Sequence, residues 1–257
     1  MALRYCFEEK YVKRTLDKSK KNDLAVIDTD GIDPKITIAA ANRGVHLYGY
    51  LNACALEKER SCWKDFEDLR LARYDGWPGE YWVDVTADKW KQHLIDEARK
   101  FKASGCKGLY FDNTDLYYMI LHGFREEHTA MLKSAPRAWS VYEALKSVVK
   151  ELVIGEGMIV MPNGGDQFVR KLVENGHRYL IKTVNQESVL YSDNKKVSKE
   201  DTKYFTDYLD WCKDQGFYIR GIEYCKDPTK IAKAKAYYLL HGWQGLYISK
   251  HHDLRGD

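Results

Sequence analysis

The sequence predicts an α/β protein made of one (β/α)8 TIM-like barrel, and three observations support this fold. First, 257 residues is close to the roughly 250 that such a barrel requires. Second, short apolar segments typical of buried parallel strands alternate with amphipathic segments typical of helices. Third, polar residues recur where the strand segments end, which favours a closed barrel over an open sheet. No linker rich in Pro, Gly or Ser divides the chain, so residues 1–257 are expected to form one domain.

Nine segments have the composition of strands that are buried on both faces, being short and rich in Val, Ile, Leu and Tyr. In chain order they are residues 4–7, 24–28, 45–51, 81–85, 108–112, 158–162, 179–184, 217–222 and 245–248. A barrel of this type has eight strand positions. One segment must therefore lie outside it, and we expect the extra one at a terminus.

Amphipathic segments between the strands predict the helices of the barrel. The clearest are residues 88–104, 139–152, 199–215 and 229–241. The first is preceded by a capping signal at Thr86 or Asp88, and the third by Ser198 ahead of Glu200 and Asp201. Each helix should cross back over the barrel between two parallel strands.

Two connections are long for a barrel, residues 52–80 after the third strand segment and 114–138 after the fifth. Both follow strands and should rise over the face where barrel enzymes carry their chemistry. The first contains Trp77, and the second contains Phe124 and His128. We interpret both as lid or subsite loops, with elaboration of the surface as the alternative.

The composition argues against several classes of protein. A net charge of +3 and one short basic cluster at residues 18–21 give no nucleic-acid-binding footprint. No apolar run is long enough to span a bilayer. The six cysteines form no C-x-x-C pair, so reduced thiols are favoured over a zinc site or a Cys54–Cys62 bridge. We expect a monomer, either cytoplasmic or exported without its leader.

The carboxyl ends of the strand segments give one ring of candidate site residues. The ring is rich in acids and amides and consists of Asp28, Asp30, Tyr48, Tyr50, Asn52, Asp84, Asp112, Asp115, Asn163, Gln186, Glu187, Glu223 and Tyr224. Within the strand segments His46 is the one histidine, which disfavours a metal site. Gly164-Gly165 is weaker than a phosphate-binding fingerprint, so no cofactor is expected. His241, His251 and His252 with Asp253 could form a metal or tag-like cluster, but we interpret them as part of a solvated tail.

Carboxylates, amides and aromatic rings around one opening suit an oligosaccharide, since the polar groups bind sugar hydroxyls and the rings face the apolar side of the sugar. Cleavage with retention needs two carboxyl groups about 5–5.5 Å apart. Asp112 and Glu187, at the ends of two apolar segments, are the candidate catalytic pair. Each acid has a structural alternative: Asp115 can cap a helix, Glu187 can form an ion pair, and Asp28 and Asp84 can anchor loops.

Three segments carry a resemblance to a known family. They are Gly105-Cys106-Lys107-Gly108-Leu109-Tyr110-Phe111-Asp112-Asn113-Thr114-Asp115, Met161-Pro162-Asn163-Gly164-Gly165 and Asn185-Gln186-Glu187-Ser188-Val189. Weaker similarities lie in Ile27-Asp28, Gly49-Tyr50-Leu51, Glu80-Tyr81-Trp82-Val83-Asp84-Val85 and Glu223-Tyr224-Cys225. In this order, over most of the chain, they resemble glycoside hydrolase family 114, the endo-α-1,4-polygalactosaminidase-like barrels. In one departure, Asn52-Ala53-Cys54 replaces the family's usual glycine-and-acid turn, and the next acid is Glu57.

The resemblance implies a metal-free and cofactor-free barrel that cleaves α-1,4 bonds in galactosamine- or N-acetylgalactosamine-containing polysaccharide, endo-acting and with retention. It implies that Asp112 is the nucleophile and Glu187 the general acid/base. It also implies that Asp115, Asn163, Gln186 and Tyr224 line the site. The strand ends add Asp28, Tyr48, Tyr50 and Asp84 as candidate substrate-binding residues.

Two other functions stay open at this stage. The first is a barrel that has lost activity and binds carbohydrate or a protein partner. A long distance between Asp112 and Glu187, or a salt bridge that locks one of them, would favour it. The second is an isomerase or lyase acting on a phosphorylated small molecule, which would need a late phosphate-binding turn that residues 223–228 do not resemble.

Overall fold

The structure is a computed structural model that describes residues 2–123 and 136–254. Its strands are β1 (Leu3–Cys6), β2 (Leu24–Ile27), β3 (His46–Asn52), β4 (Ala55–Glu57), β5 (Arg70–Arg73), β6 (Glu80–Val83), β7 (Gly108–Asp112), β8 (Ile159–Pro162), β9 (Thr183–Glu187), β10 (Tyr191–Ser192), β11 (Lys195–Lys196), β12 (Tyr218–Tyr224) and β13 (Gly245–Ser249). Its α-helices are α1 (Glu9–Lys18), α2 (Pro34–Asn42), α3 (Trp63–Phe66), α4 (Asp88–Ala103), α5 (Leu116–His122), α6 (Ala138–Lys150), α7 (Asp166–Glu174), α8 (Lys199–Asp214) and α9 (Pro228–His241).

Eight parallel strands form the barrel. The strands β1, β2, β3, β7 and β8 pair in that order, and β9, β12 and β13 pair in a second run. A parallel bridge between Asn163 and Asn185 joins the two runs. At the other join, the ring of Tyr5 in β1 lies 5.2 Å from that of Tyr247 in β13. The strands therefore follow one another around the barrel in sequence order, and the prediction of a (β/α)8 fold is confirmed.

The barrel interior has an apolar layer below a polar one. Side chains of a strand alternate between its two faces, so residues two positions apart point the same way. One buried cluster fills the interior and includes Tyr5, Val26, Tyr48, Tyr110, Met161 and Ile222. Two positions further along the same strands lie Phe7, Asp28, Tyr50, Asp112, Asn163 and Tyr224. The alternation that builds the core thus delivers polar side chains to the barrel mouth.

The expectation that the strand segment outside the barrel lies at a terminus is wrong. The extra segment is the fourth, which forms β6 and pairs antiparallel with β4 and β5 inside the long connection after β3. No barrel position is open to it, because β3 pairs directly with β7, with Asn52 opposite Asp112. Antiparallel partners need only short turns between them, so a small sheet of this kind can be inserted within one connection.

Two other local predictions need correction. The segment predicted at residues 179–184 begins with a 3-10 turn, Arg178–Leu180, and the strand runs from Thr183 to Glu187. The sequence contains no clear sign of the true end of this strand, because its last residues, Asn185 to Glu187, are polar. The predicted cap before α4 is also wrong, since no side chain caps that helix. The cap before α8 is confirmed, with the Asp201 amide donating to Ser198 Oγ at 3.0 Å.

Both long connections are present, although the second is described in part. Residues 52–80 carry β4, α3 and β5, whereas Phe124 and His128 of the second connection lie outside the described residues. The six cysteines are free thiols, including Cys54 and Cys62. Among the described helices, none combines the length and the apolar character needed to cross a membrane.

Gly49 permits close contact between β3 and α4. A Cβ added there would lie 2.4 Å from Cδ1 of Phe101. We expect Gly49→Ala to lower the free energy of unfolding by about 1–3 kcal/mol, because the clash forces α4 away from the barrel. Urea denaturation measures the change. As a control, Phe101→Leu should destabilise the wild type but recover part of the loss in the Gly49→Ala background. An unchanged unfolding free energy in Gly49→Ala would contradict this tight contact.

Candidate active site

A cavity of about 400 Å³ opens at the carboxyl ends of the barrel strands. The barrel contributes Phe7, Asp28, Tyr50, Asp112, Asn163, Glu187 and Tyr224. The connection after β3 contributes Glu57, Arg60, Tyr74, Trp77 and Glu80. Glu8, Asn113 and the segment after β13, with His252, Asp253 and Leu254, complete the lining. Seven of these side chains are carboxylates and one is a guanidinium, so the cavity is acidic although the chain carries a net charge of +3.

The amide of Asn163 joins the two candidate catalytic acids. Its Nδ2 donates to Oδ1 of Asp112 and to Oε1 of Glu187, each at 2.9 Å. The two oxygens therefore lie no more than about 5.8 Å apart, twice that distance. If each N–H points at its acceptor, the two hydrogen bonds diverge by about 120°, and the Asp112 and Glu187 oxygens then lie about 5 Å apart. The pair is thus at the separation that retaining glycosidases use.

A relay of hydrogen bonds from the barrel core fixes the orientation of Asn163. Its Oδ1 accepts from Nδ2 of Asn185 at 2.7 Å, so its Nδ2 must face the acids. The amide of Asn185 is fixed in turn, because its Oδ1 accepts from the Tyr5 hydroxyl and its Nδ2 also donates to the Tyr110 hydroxyl. Tyr5, Tyr110 and Asn185 are fully buried. The orientation of the amide therefore rests on core packing.

The two acids differ in their surroundings. Three donors hold Glu187, because the Tyr110 hydroxyl and Asn163 reach Oε1 while the Tyr224 hydroxyl reaches Oε2 at 2.6 Å. Asp112 accepts from Asn163 and from the amide of Asn113. Burial, and then the nearby Glu187 carboxylate, raise the pKa of Asp112 from 3.8 to about 7. At pH 7 about half of the molecules therefore carry a proton on Asp112.

A second group of acids lies at the rim. Arg60 binds Asp28 at 2.7 Å and Glu57 at 2.6 Å, which ties the loop after β2 to β4. Glu57 also accepts from Nδ2 of Asn52 at 3.0 Å, so it brings a carboxylate back to the end of β3. Glu80 lies directly opposite Glu57 across the β4–β6 pair. Burial, followed by Glu57 and Asp112, raises the pKa of Glu80 to about 8.

Of the ten residues predicted to be catalytic or substrate-binding, six line the cavity: Asp28, Tyr50, Asp112, Asn163, Glu187 and Tyr224. Four others do not. Tyr48 lies one layer lower in the core, and Gln186 lies on the opposite face of β9 from Glu187. Asp115 accepts from the Gly165 amide at 2.9 Å and so orders the loop after β8. Asp84 accepts from the amide and hydroxyl of Thr86 outside the barrel.

Sequence reasoning missed several lining residues. Glu57, Arg60 and Glu80 reach the cavity through the inserted sheet, which no spacing rule reveals. Asn185, which is buried beneath the cavity and is not part of its lining, had a usable signal, because it lies two positions before Glu187 on the same face of the strand. The prediction of a solvated tail is wrong for His252, whose ring stacks on that of Tyr224 with centroids 4.0 Å apart.

The chain matches known proteins in sequence and in structure. Residues 4–249 match the family model described as glycoside-hydrolase family GH114. An uncharacterized protein of Thermotoga maritima is 23% identical over 80% of this chain, and the match spans 66% of that relative's length, slightly less than two thirds.

Two solved structures share the fold over nearly the whole chain. The glycoside hydrolase domain of PelA from Pseudomonas aeruginosa has a TM-score of 0.77 at 19% identity, covering 100% of this chain and 97% of that domain. Ega3 of Aspergillus fumigatus, solved in complex with galactosamine, has a TM-score of 0.69 at 16% identity, with 98% and 91% covered. The family match covers almost the entire barrel, including both acids that Asn163 joins. The chain therefore belongs to glycoside-hydrolase family GH114.

Proposed function

We propose that this protein is a glycosidase that cleaves internal α-1,4 linkages in a galactosamine-containing polysaccharide, with retention, using Asp112 and Glu187. One observation carries the proposal, namely that a single amide nitrogen of Asn163 holds an oxygen of each carboxyl group at 2.9 Å. The resulting separation of about 5 Å between these two oxygens is typical of retaining enzymes and shorter than the gap that admits a water in inverting ones, which supports direct attack of one acid on the anomeric carbon.

The reaction then proceeds in two displacements. One carboxylate attacks the anomeric carbon, while the other acid protonates the departing glycosidic oxygen, giving a glycosyl ester. The second group next takes a proton from water, whose oxygen displaces the ester carboxylate and restores the original anomer. Following the family resemblance, we assign the attack to Asp112 and the proton transfers to Glu187.

The geometry argues against the alternative of an inactive binding protein. That alternative was expected to bring a wide separation, or a salt bridge that locks one acid. Within the described part of the chain, neither Asp112 nor Glu187 forms an ion pair with a basic side chain. Instead, neutral donors hold both acids, which keeps a carboxylate available to react.

The charge of the cavity supports an amino sugar as substrate. The lining residues include seven carboxyl groups, whereas Arg60 is the one guanidinium among them. Glu80 has no ion-pair partner among the described residues, and the carboxylate opposite it is bound to Arg60. An ammonium group would supply the missing positive charge and favour the ionised form of Glu80. Ega3, which shares this fold, was solved with galactosamine bound.

The shape of the surface supports cleavage inside a chain. A second depression of about 400 Å³ adjoins the cavity and shares Tyr74, Trp77 and Glu80 with it. The side chain of Trp77 is 51% exposed, so its face is open to a sugar ring. A polysaccharide that is cleaved internally needs binding surface on both sides of the reacting bond, and this depression provides such a surface.

Wild-type protein is expected to release new reducing ends from α-1,4-linked galactosamine polymers, with mixed oligosaccharides as early products. Asp112→Asn and Glu187→Gln should each lower kcat by about a thousandfold or more, because each removes a reacting group. Reducing-end assays on deacetylated and N-acetylated polymers measure this. Asp207→Asn and Glu59→Gln, which replace exposed acids outside the cavity, serve as matched controls. No release by folded wild type from any polymer would contradict the proposed function.

An aryl α-galactosaminide separates the roles of the two acids, because a nitrophenolate leaves without protonation. If Asp112 is the nucleophile, Glu187→Gln should release a burst of nitrophenol equal to the enzyme concentration while the glycosyl-enzyme accumulates. Asp112→Asn should give no burst. The reverse pattern would exchange the two assignments and leave the retaining mechanism intact.

The value of kcat/KM is expected to fall as pH rises above about 7. The reaction needs one proton on the Asp112–Glu187 pair, and the free protein loses it near the pKa of Asp112, which is about 7. The fall should approach tenfold per pH unit, measured with polymer far below KM. Glu80 has a pKa of about 8, so the profile is repeated in Glu80→Gln, where the same limb should persist. A flat profile from about pH 6 to 9 would contradict this assignment.

Replacement of Glu80 should change substrate preference more than catalysis. We expect Glu80→Gln to lower kcat/KM for a deacetylated polymer by about tenfold, the effect of losing one charge-assisted contact. Activity on an N-acetylated polymer should stay within about twofold, because that substrate has no ammonium group. Glu59→Gln, in the same connection but exposed, is the matched control. An equal loss on both polymers would show that Glu80 does not read the amino group.

A further inference from the structure

The segment after β13 folds back over the barrel mouth. The amide of Phe7, at the end of β1, donates to the carbonyl of Leu254 at 3.0 Å. The side chain of Leu254 is 2% exposed and belongs to the interior cluster of the barrel. His252, Asp253 and Leu254 all line the catalytic cavity. This segment is therefore one wall of the site.

His252 covers one face of Tyr224. The two rings are nearly parallel, with centroids 4.0 Å apart and planes at 10°. At the edge of the imidazole, Nε2 lies 3.2 Å from Oγ of Ser192 and 3.4 Å from Oδ1 of Asp193. Ser192 ends β10 and Asp193 follows it, in the hairpin that comes after Glu187 in the chain. The imidazole is thus held between the terminal segment and the β10–β11 hairpin.

Tyr224 in turn holds one oxygen of Glu187. Its hydroxyl donates to Oε2 at 2.6 Å, while the other two donors reach Oε1. Tyr224 is 3% exposed, and the imidazole of His252 covers one face of its ring. If the imidazole were removed, the ring could tilt into the cavity and its hydroxyl would leave Oε2. No other described donor is bonded to that oxygen, so Glu187 could then rotate.

We infer that His252 is a positioning residue for the glycosidase reaction, acting through Tyr224 to fix the carboxylate of Glu187. The inference rests on the proposed role of Glu187. The stacked ring acts through its shape, since a neutral aromatic ring covers the phenol as well as an imidazole does. Misplacement of a reacting group by about 1 Å can cost up to a hundredfold in rate, so loss of the ring should act mainly on kcat.

The test compares five variants with wild type in kcat, KM and melting temperature. His252→Ala is expected to lower kcat by about tenfold or more with a smaller change in KM. His252→Phe restores a stacking ring and should recover most of kcat. Tyr224→Phe, which loses the hydroxyl, should lower kcat by a similar factor, and the Tyr224→Phe/His252→Ala double variant should be no worse than Tyr224→Phe alone. His251→Ala, an exposed histidine next in the chain, is the matched control.

Three results would overturn the inference: unchanged kcat in His252→Ala, no recovery in His252→Phe, or additive losses in the double variant. A crystal structure of His252→Ala gives a readout that needs no activity. The Tyr224 hydroxyl should lie beyond hydrogen-bond distance of Glu187, and an unchanged 2.6 Å contact would contradict the role. If wild type cleaves no polymer, the proposed function fails, while this structural comparison still decides whether His252 positions Tyr224.

Discussion

The hydrogen bonds from Nδ2 of Asn163 to Asp112 and Glu187 are the interaction on which the site depends. Two buried carboxyl groups this close repel each other when both are ionised, and a pair of N–H donors between them offsets part of that cost. The amide can serve both acids because Asn185 occupies its oxygen. Asn185 is oriented by Tyr5 and Tyr110, which pack within the apolar interior. The arrangement of the two acids therefore depends on the packing of the barrel core.

The many acidic side chains make the cavity negatively charged, and burying their charges costs free energy. Arg60 pairs with both Asp28 and Glu57, so its single positive charge offsets part of theirs, and hydroxyl and amide donors hold Glu187. Burial raises the pKa of Asp112 to about 7 and that of Glu80 to about 8, so each of these two acids is partly protonated near neutral pH. A cationic sugar would replace those protons with its own charge. Local charge rather than the net charge of the chain thus governs which ligand the cavity favours.

The sequence predicted the barrel well and the surroundings of its mouth poorly. Strand segments buried on both faces identify themselves by composition, and the acids that end β7 and β9 stand at their ends in the sequence as in the fold. The inserted sheet was read as part of the barrel, because β6 resembles a barrel strand over its few residues. His252 was read as solvent-exposed, because a short polar segment carries no sign of what it covers.

Sequence by itself determined the family and placed Asp112 and Glu187 at the ends of two buried strands, since both results depend on local patterns and motifs in chain order. Tertiary structure decided the partners of those acids. The way in which distant connections fold over the barrel decides three things. It brings Glu57 and Glu80 to the cavity, it leaves Asp84 outside, and it places His252 on the ring of Tyr224. Those contacts join residues far apart in the chain, through packing and charge that no local pattern encodes.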